Sequence, residues 1–183
     1  MDAFNINSLV DYHKKILNVN NHPYGHCTTK KFLPEEIIKS ISSSFKFPDQ
    51  INSTSDVLFQ KTKKALNEYN LFPTEIKKII DYLNLKIFIS VLEDKFKIKN
   101  LISDSALFGG GMHESRSGGY LKIHSDFIYI RKKKLKRMLN LLLYLNDNWD
   151  EKWGGAIELW DQKMENNFLK VFPKINNAVI FRT

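Results

Sequence analysis

The chain has 183 residues, 43% hydrophobic and 13% aromatic, with 28 Lys and Arg against 20 Asp and Glu for a formal net charge of +8. That apolar content is too high for a disordered tail, and 8 Gly with 5 Pro excludes collagen-like and Pro-rich low complexity. The length suits one domain with a sizeable core, and the single cysteine, Cys27, excludes an internal disulfide framework and a cysteine-based zinc site.

Taken in chain order, the stretch from Met1 to Lys15 lacks the unbroken apolar segment of a signal peptide. The longest largely apolar runs, Ile87–Leu92 and Leu141–Leu145, fall far short of the roughly 20 residues a membrane span needs. A soluble, cytoplasmic protein with no membrane partner is therefore expected. Leu33-Pro34-Glu35-Glu36 opens a helix: Pro34 suits its start, the two acids complement the N-terminal dipole, and Ile37, Ile38 and Ile41 give it an apolar face. Pro48, in Phe45–Asp49, ends it. A second helix is predicted from about Asp56 to Tyr69, broken by Asn70 and Pro73. A third starts at Pro73-Thr74-Glu75, with Ile76, Ile79, Ile80 and Leu83 at helical spacing, and continues or restarts through Phe88–Phe96.

At Gly109-Gly110-Gly111 the pattern changes. Tyr120–Phe127, Met138–Leu145, Ala156–Trp160, Phe168–Val171 and Ala178–Phe181 are short β-rich runs separated by turns with Asn146-Asp147-Asn148, Gly154-Gly155 and Pro173. Short strands so spaced suggest a sandwich, jelly roll or barrel. No linker or repeat divides the chain, so the expectation is one α+β domain over 1–183: a mainly helical part, 1–100, packed on a β-core, 101–183. The glycine triplet is not a phosphate loop, because no Lys-Ser/Thr pair follows it and no helix begins there.

Only four of the basic residues are arginines, Arg116, Arg131, Arg137 and Arg182, which weakens a nucleic-acid reading because phosphate and base recognition leans on the arginine fork. Arg131–Arg137 packs six basic residues into seven. Such a run is either a solvated loop joining two strands or an electrostatic lip that draws in an anionic substrate.

His124-Ser125-Asp126 carries the chemistry. On a strand, residues two apart share a face, so the imidazole and the carboxylate can meet. A neutral nitrogen and a hard oxygen suit a divalent transition metal, and two His with one carboxylate form the facial site of non-haem Fe(II) oxygenases. The alternative is a half-exposed strand whose His and Asp hydrogen-bond each other.

In sequence around that triplet stand Gly118–Phe127, Arg137–Asn146, Trp149, and Trp153-Gly154-Gly155-Ala156-Ile157-Glu158-Leu159-Trp160. This order resembles the 2-oxoglutarate/Fe(II)-dependent dioxygenases of the prolyl 4-hydroxylase type. Phe32–Glu36 with Phe47-Pro48, and Gly109–Glu114, are similar to the bacterial and viral branch of that superfamily. The resemblance runs from about Pro23 to the last residue. It implies a double-stranded β-helix (jelly-roll) core and oxidative hydroxylation of a substrate C–H bond, coupled to conversion of 2-oxoglutarate to succinate. The implied cofactors are Fe(II), 2-oxoglutarate and O2, with ascorbate as a further candidate. His124 and Asp126 match the first two iron ligands, and Tyr144 matches a tyrosine that holds the distal carboxylate of 2-oxoglutarate. Without the resemblance, Tyr144 would be a strand tyrosine with a solvated hydroxyl. Arg137 matches a basic residue at the substrate side of the entrance, and His113 stands near a polar position beside the co-substrate. Gly154-Gly155 is expected to form the turn into the next strand, with Trp149, Trp153 and Trp160 as packing aromatics. The substrate class stays open among protein prolyl groups, amino acids, sugars and other small molecules.

The family's third iron ligand is a histidine beyond the strand equivalent to Ala178–Phe181, followed by a basic residue for 2-oxoglutarate. No histidine follows His124 here; His13, His22, His26 and His113 all precede it. The expectation is thus a domain truncated at its C-terminus, its last strand or strands missing and an edge left unpaired. Three functions follow: a dioxygenase, an inactive homologue acting as a binding module, or a basic nucleic-acid-binding protein.

Overall fold

The computed structural model of the chain describes residues 5–48, 55–57 and 60–183. Helix α1, Ile6–Ile16, is capped by the Asn5 side chain, which accepts from the Ser8 amide at 3.1 Å. Its Leu9, Val10 and His13 are buried at helical spacing. Strand β1, His26–Thr29, leads into α2, Glu35–Ser44, which starts directly after Pro34 and buries Ile37, Ile38 and Ile41 as expected. It stops before the Phe45–Asp49 breaker, of which Asp49 lies outside the described residues.

The helix expected from Asp56 to Tyr69 is instead β2, Ser55–Val57, and β3, Gln60–Leu66, followed by a short 3-10 turn at Tyr69–Leu71; residues 58–59 lie outside the described set. The alternation at the end of β3 is the physical reason: Lys64 and Leu66 are buried while Ala65 between them is exposed, which is a period of two. Among the described residues, the "mainly helical" first hundred therefore also hold three strands. Helices α3, Thr74–Asn84, and α4, Lys86–Phe96, are separate, split at Leu85, so the pattern restarts rather than continues.

Residues 101–183 carry the remaining strands: β4, Met112–Leu121; β5, Tyr129–Ile130; β6, Leu135–Lys136; β7, Leu139–Leu143; β8, Ile157–Trp160; β9, Asn167–Val171; and β10, Ala178–Arg182. All named pairings are antiparallel and fall into four small sheets, β1-β10-β7, β2-β3-β4, β5-β6 and β8-β9. The architecture is α+β. β10 is the centre of its sheet, with Ile180 opposite Cys27 on one side and Leu141 on the other.

That sheet separates two environments. Cys27, Ala178, Ile180, Leu139, Leu141 and Leu143 share the face that packs into the main core with the helices, around Phe32, Tyr82, Phe88 and Phe96. Asn140, Leu142, Val179, Phe181, His26 and Thr28 lie on the other face by alternation. The β8-β9 hairpin covers part of it through Phe168, whose ring centroid is 5.3 Å from that of His26. A side-chain clasp fixes the register of the two halves: Asn176 accepts from the Leu33 amide and donates to the Leu33 carbonyl, both at 2.8 Å. Arg182 donates to the Phe96 carbonyl at the end of α4. Among the described residues no helix is long and apolar enough to cross a membrane.

Candidate metal and co-substrate site

His124 and Asp126 do not lie on a strand. The strand expected over Tyr120–Phe127 ends at Leu121, and residues 122–128 are irregular until β5. The pairing competes here: Gln60 and Lys61 hold Leu121 and Tyr120 in the β3-β4 ladder, and among the described residues that ladder goes no further. The two side chains nevertheless meet, with His124 Nε2 3.5 Å from Asp126 Oδ1.

Hydrogen bonding sets the chemistry of each group. His124 Nδ1 is 2.8 Å from the Lys122 carbonyl, an acceptor only, so Nδ1–H donates and Nε2 keeps its lone pair in the neutral ring. Asp126 Oδ2 accepts from Asn140 Nδ2 at 3.0 Å and stands 3.5 Å from Arg137 Nη1. Oδ1 is left facing Nε2. Two donors about 2.1 Å from one first-row ion and at right angles stand about 3 Å apart, so the pair needs to close only slightly to hold such an ion. The residues fit a divalent metal as two of its ligands. Among the described residues no group of three His, Cys, Asp or Glu is arranged to hold one, and His113 does not complete the set.

Arg137 closes the basic run but leaves the rim. Its side chain, 14% exposed, turns inward, stacks over Phe127 with Cζ 4.1 Å from the ring centroid, and donates to the Phe108 carbonyl at 3.3 Å. Gly109, at φ +75°, makes room: a Cβ there would lie 3.1 Å from Arg137 Nη2 and 3.0 Å from Phe127. The rest of the run forms the turn and second strand of the β5-β6 hairpin, where Arg131, Lys134 and Lys136 are exposed and Lys133 pairs with Asp104 at 2.9 Å.

Tyr144 follows β7 and extends the alternation of Asn140 and Leu142. Burial pushes its phenol up to about 12, so the hydroxyl stays protonated and can only be a neutral donor or acceptor at ordinary pH. His113 donates from Nε2 to the Gly110 carbonyl at 3.3 Å. Crowding by protein atoms holds its pKa below the ordinary histidine value, and the positive charges of Lys63 and Arg137 add to that. Gly154 and Gly155, at φ +74° and +69°, form the turn into β8, and Trp149 packs on it, donating to the Gly154 carbonyl at 3.1 Å. Asn140, the carboxylate's hydrogen-bond donor, was missed in the sequence; its signal is a lone amide amid Leu139, Leu141, Leu142 and Leu143.

Residues 110–183 match the family model of the 2OG-Fe(II) oxygenase superfamily. The match supports that superfamily for this chain, and the matched segment contains His113, His124, Asp126, Arg137, Asn140 and Tyr144. No match to the chain was found among curated proteins.

Proposed function

We propose that the chain carries a dioxygenase domain of the prolyl 4-hydroxylase type, built on a jelly-roll core, that hydroxylates a substrate C–H bond. The observation that supports this best is the His124–Asp126 pair: the two atoms left without a hydrogen-bond donor, Nε2 and Oδ1, are the ones that face each other. They would hold Fe(II), which with 2-oxoglutarate and O2 supplies the oxidising power and leaves succinate and CO2. Asn140 and Arg137 fix the Asp126 carboxylate in place through its second oxygen, and the Lys122 carbonyl fixes the histidine tautomer. The Tyr144 hydroxyl, kept protonated by burial, would donate to the distal carboxylate of 2-oxoglutarate. Phe127 and Phe108, edge to face at 5.1 Å, shield the Arg137 side of the site from water.

The lack of a third histidine or carboxylate beside the pair among the described residues favours a second reading, a binding module that takes up metal or 2-oxoglutarate without turnover. Purified chain with Fe(II) and 2-oxoglutarate separates the two. Succinate formation that is lost in His124→Ala supports the oxygenase. Binding of metal and 2-oxoglutarate with no succinate supports the module.

A further inference from the structure

Only Arg137 of the basic run takes part in the metal pair's surroundings. The rest is carried by the β5-β6 hairpin, where Tyr129 lies opposite Lys136 and Ile130 opposite Leu135. The Arg137 amide extends that ladder by donating to the Ile128 carbonyl at 2.7 Å. Directly opposed residues share a face. Tyr129 and Lys136 therefore stand together on the exposed side, while Ile130 and Leu135 are half-buried on the other. The turn between the strands is Arg131–Lys133, closed by Lys134 at φ +53°. From Phe127 to Arg137 the chain has no acidic residue.

A second segment packs on this hairpin. Asp104 pairs with Lys133 at 2.9 Å and accepts from the Phe108 amide at 2.6 Å, and the Phe108 ring meets Phe127 edge to face at 5.1 Å. Phe108, 52% exposed, is thereby joined through Phe127 and Ile128 to Tyr129, 67% exposed, in one run of solvent-facing apolar side chains. The charges beside it divide in two. Lys133 is matched by Asp104 and Arg137 by Asp126. Arg131, Lys134 and Lys136 are exposed and, among the described residues, have no acidic partner.

Charge and shape together select the occupant. A second copy of the chain would set the same three cations against each other. A lipid surface takes up an apolar tip with basic residues behind it, whereas here the tip is basic and the apolar side chains lie at the hairpin's base. An acidic peptide would meet the cations but brings no repeating flat group for the rings. A single-stranded nucleic acid brings both, phosphates for the cations and bases that stack on aromatic side chains. Such binding rests on charge and stacking, not on base edges, so it does not need the arginine fork.

We propose that the β5-β6 hairpin and the 104–108 segment form a binding surface for a single-stranded nucleic acid, with Tyr129 and Phe108 as stacking platforms and Arg131, Lys134 and Lys136 on the phosphates. The surface stands independently of the oxygenase reading. It begins at Phe127, one residue after Asp126, so a bound strand lies beside the metal pair.

The test is fluorescence anisotropy of a labelled oligothymidylate with the full chain, without metal or 2-oxoglutarate, as salt is raised from about 50 to 200 mM. Saturable binding that weakens with salt is expected. Tyr129→Ala should weaken it about tenfold, and Tyr129→Phe should restore it. Replacing Arg131, Lys134 and Lys136 together by Gln should reduce the slope of log affinity against log salt by about 2. These side chains are exposed, so unfolding midpoints should stay unchanged. No saturable binding, or unchanged affinity in both Tyr129→Ala and the triple variant, would overturn the surface. So would displacement of the oligonucleotide by an equal charge of polyglutamate, or tighter binding to phosphatidylserine vesicles, which would reassign it to an acidic peptide or a lipid. Because no metal is present, failure here leaves the metal reading standing, and loss of metal binding leaves a positive result here standing.

Discussion

The helical layer and the segment from Tyr120 to Arg137 use apolar residues in opposite ways. Around α1, α3 and α4, Tyr82, Phe88 and Phe96 are each 1% exposed, and rings pack within 5.2 Å. In the segment that carries His124 and Asp126, Ile123 is 50% and Tyr129 67% exposed, and Leu121, Phe127 and Ile128 also reach solvent. Stability is concentrated where there is no chemistry, and the candidate chemistry sits where the chain is open. A scaffold face, Asn140 on β7, links the two by holding Asp126. Substitutions should therefore divide cleanly: those in the first region unfold the protein, and those in the second change what it binds.

The largest effect should come from the ring cluster. Phe88→Ala is expected to cost about 4 kcal/mol by denaturant unfolding, whereas Ile123→Ala, at a half-exposed site, should cost about 0.5 kcal/mol or less. Similar costs at the two sites would erase the contrast. Next is acid. His13, fully buried at the centre of the helical layer, is held down to about 4 by desolvation, with its ring against Phe32, Tyr82 and Phe88. Its folded pKa lies below its unfolded value of about 6.5, so the unfolded state takes up the proton first. The stability this neutral histidine allows is complete above about pH 6.5, declines as pH falls, and is gone below about 4, a loss of roughly 3 kcal/mol. Urea midpoints between pH 7 and 4 check this, and His13→Gln should flatten the His13 share of the slope.

The clasp comes third. Asn176→Ala removes both 2.8 Å bonds to Leu33 and leaves a buried amide and carbonyl unpaired, for about 2 kcal/mol. Asn176 also sits at φ +65°, which asparagine tolerates better than alanine. A cost near zero in thermal unfolding would mean that the halves are registered by other contacts. The smallest stability effect is expected at the site itself. Asn140→Ala should shift unfolding by about 1 kcal/mol or less, while weakening metal binding by about tenfold because Asp126 loses its donor.

Local signals with a direct physical cause were legible in the sequence. Pro34 and Pro73 mark helix starts, and the isoleucines behind them face the core. The glycines at 154–155 turn the chain, and the runs of β7 to β10 pair as strands. Three features were not legible because they depend on partners far away in sequence. β3 has a two-residue alternation hidden among lysines, and its strand state is fixed by β4. Tyr120–Phe127 has strand composition throughout, yet its ladder stops at Leu121. β1, four residues long, becomes a strand only because β10 lies beside it. At the site, the proximity of His124 and Asp126 follows from their spacing even in irregular backbone. Asn140 comes from β7, and no local pattern joins it to the pair.

Metal titration of the purified chain tests the central claim most directly. Co(II), followed by its visible absorption, should bind wild type at one equivalent, and His124→Ala and Asp126→Ala should each weaken it by at least about tenfold with unfolding midpoints nearly unchanged. Binding of equal affinity in wild type and both variants would contradict the account, because the ion would then be held by groups other than Nε2 of His124 and Oδ1 of Asp126.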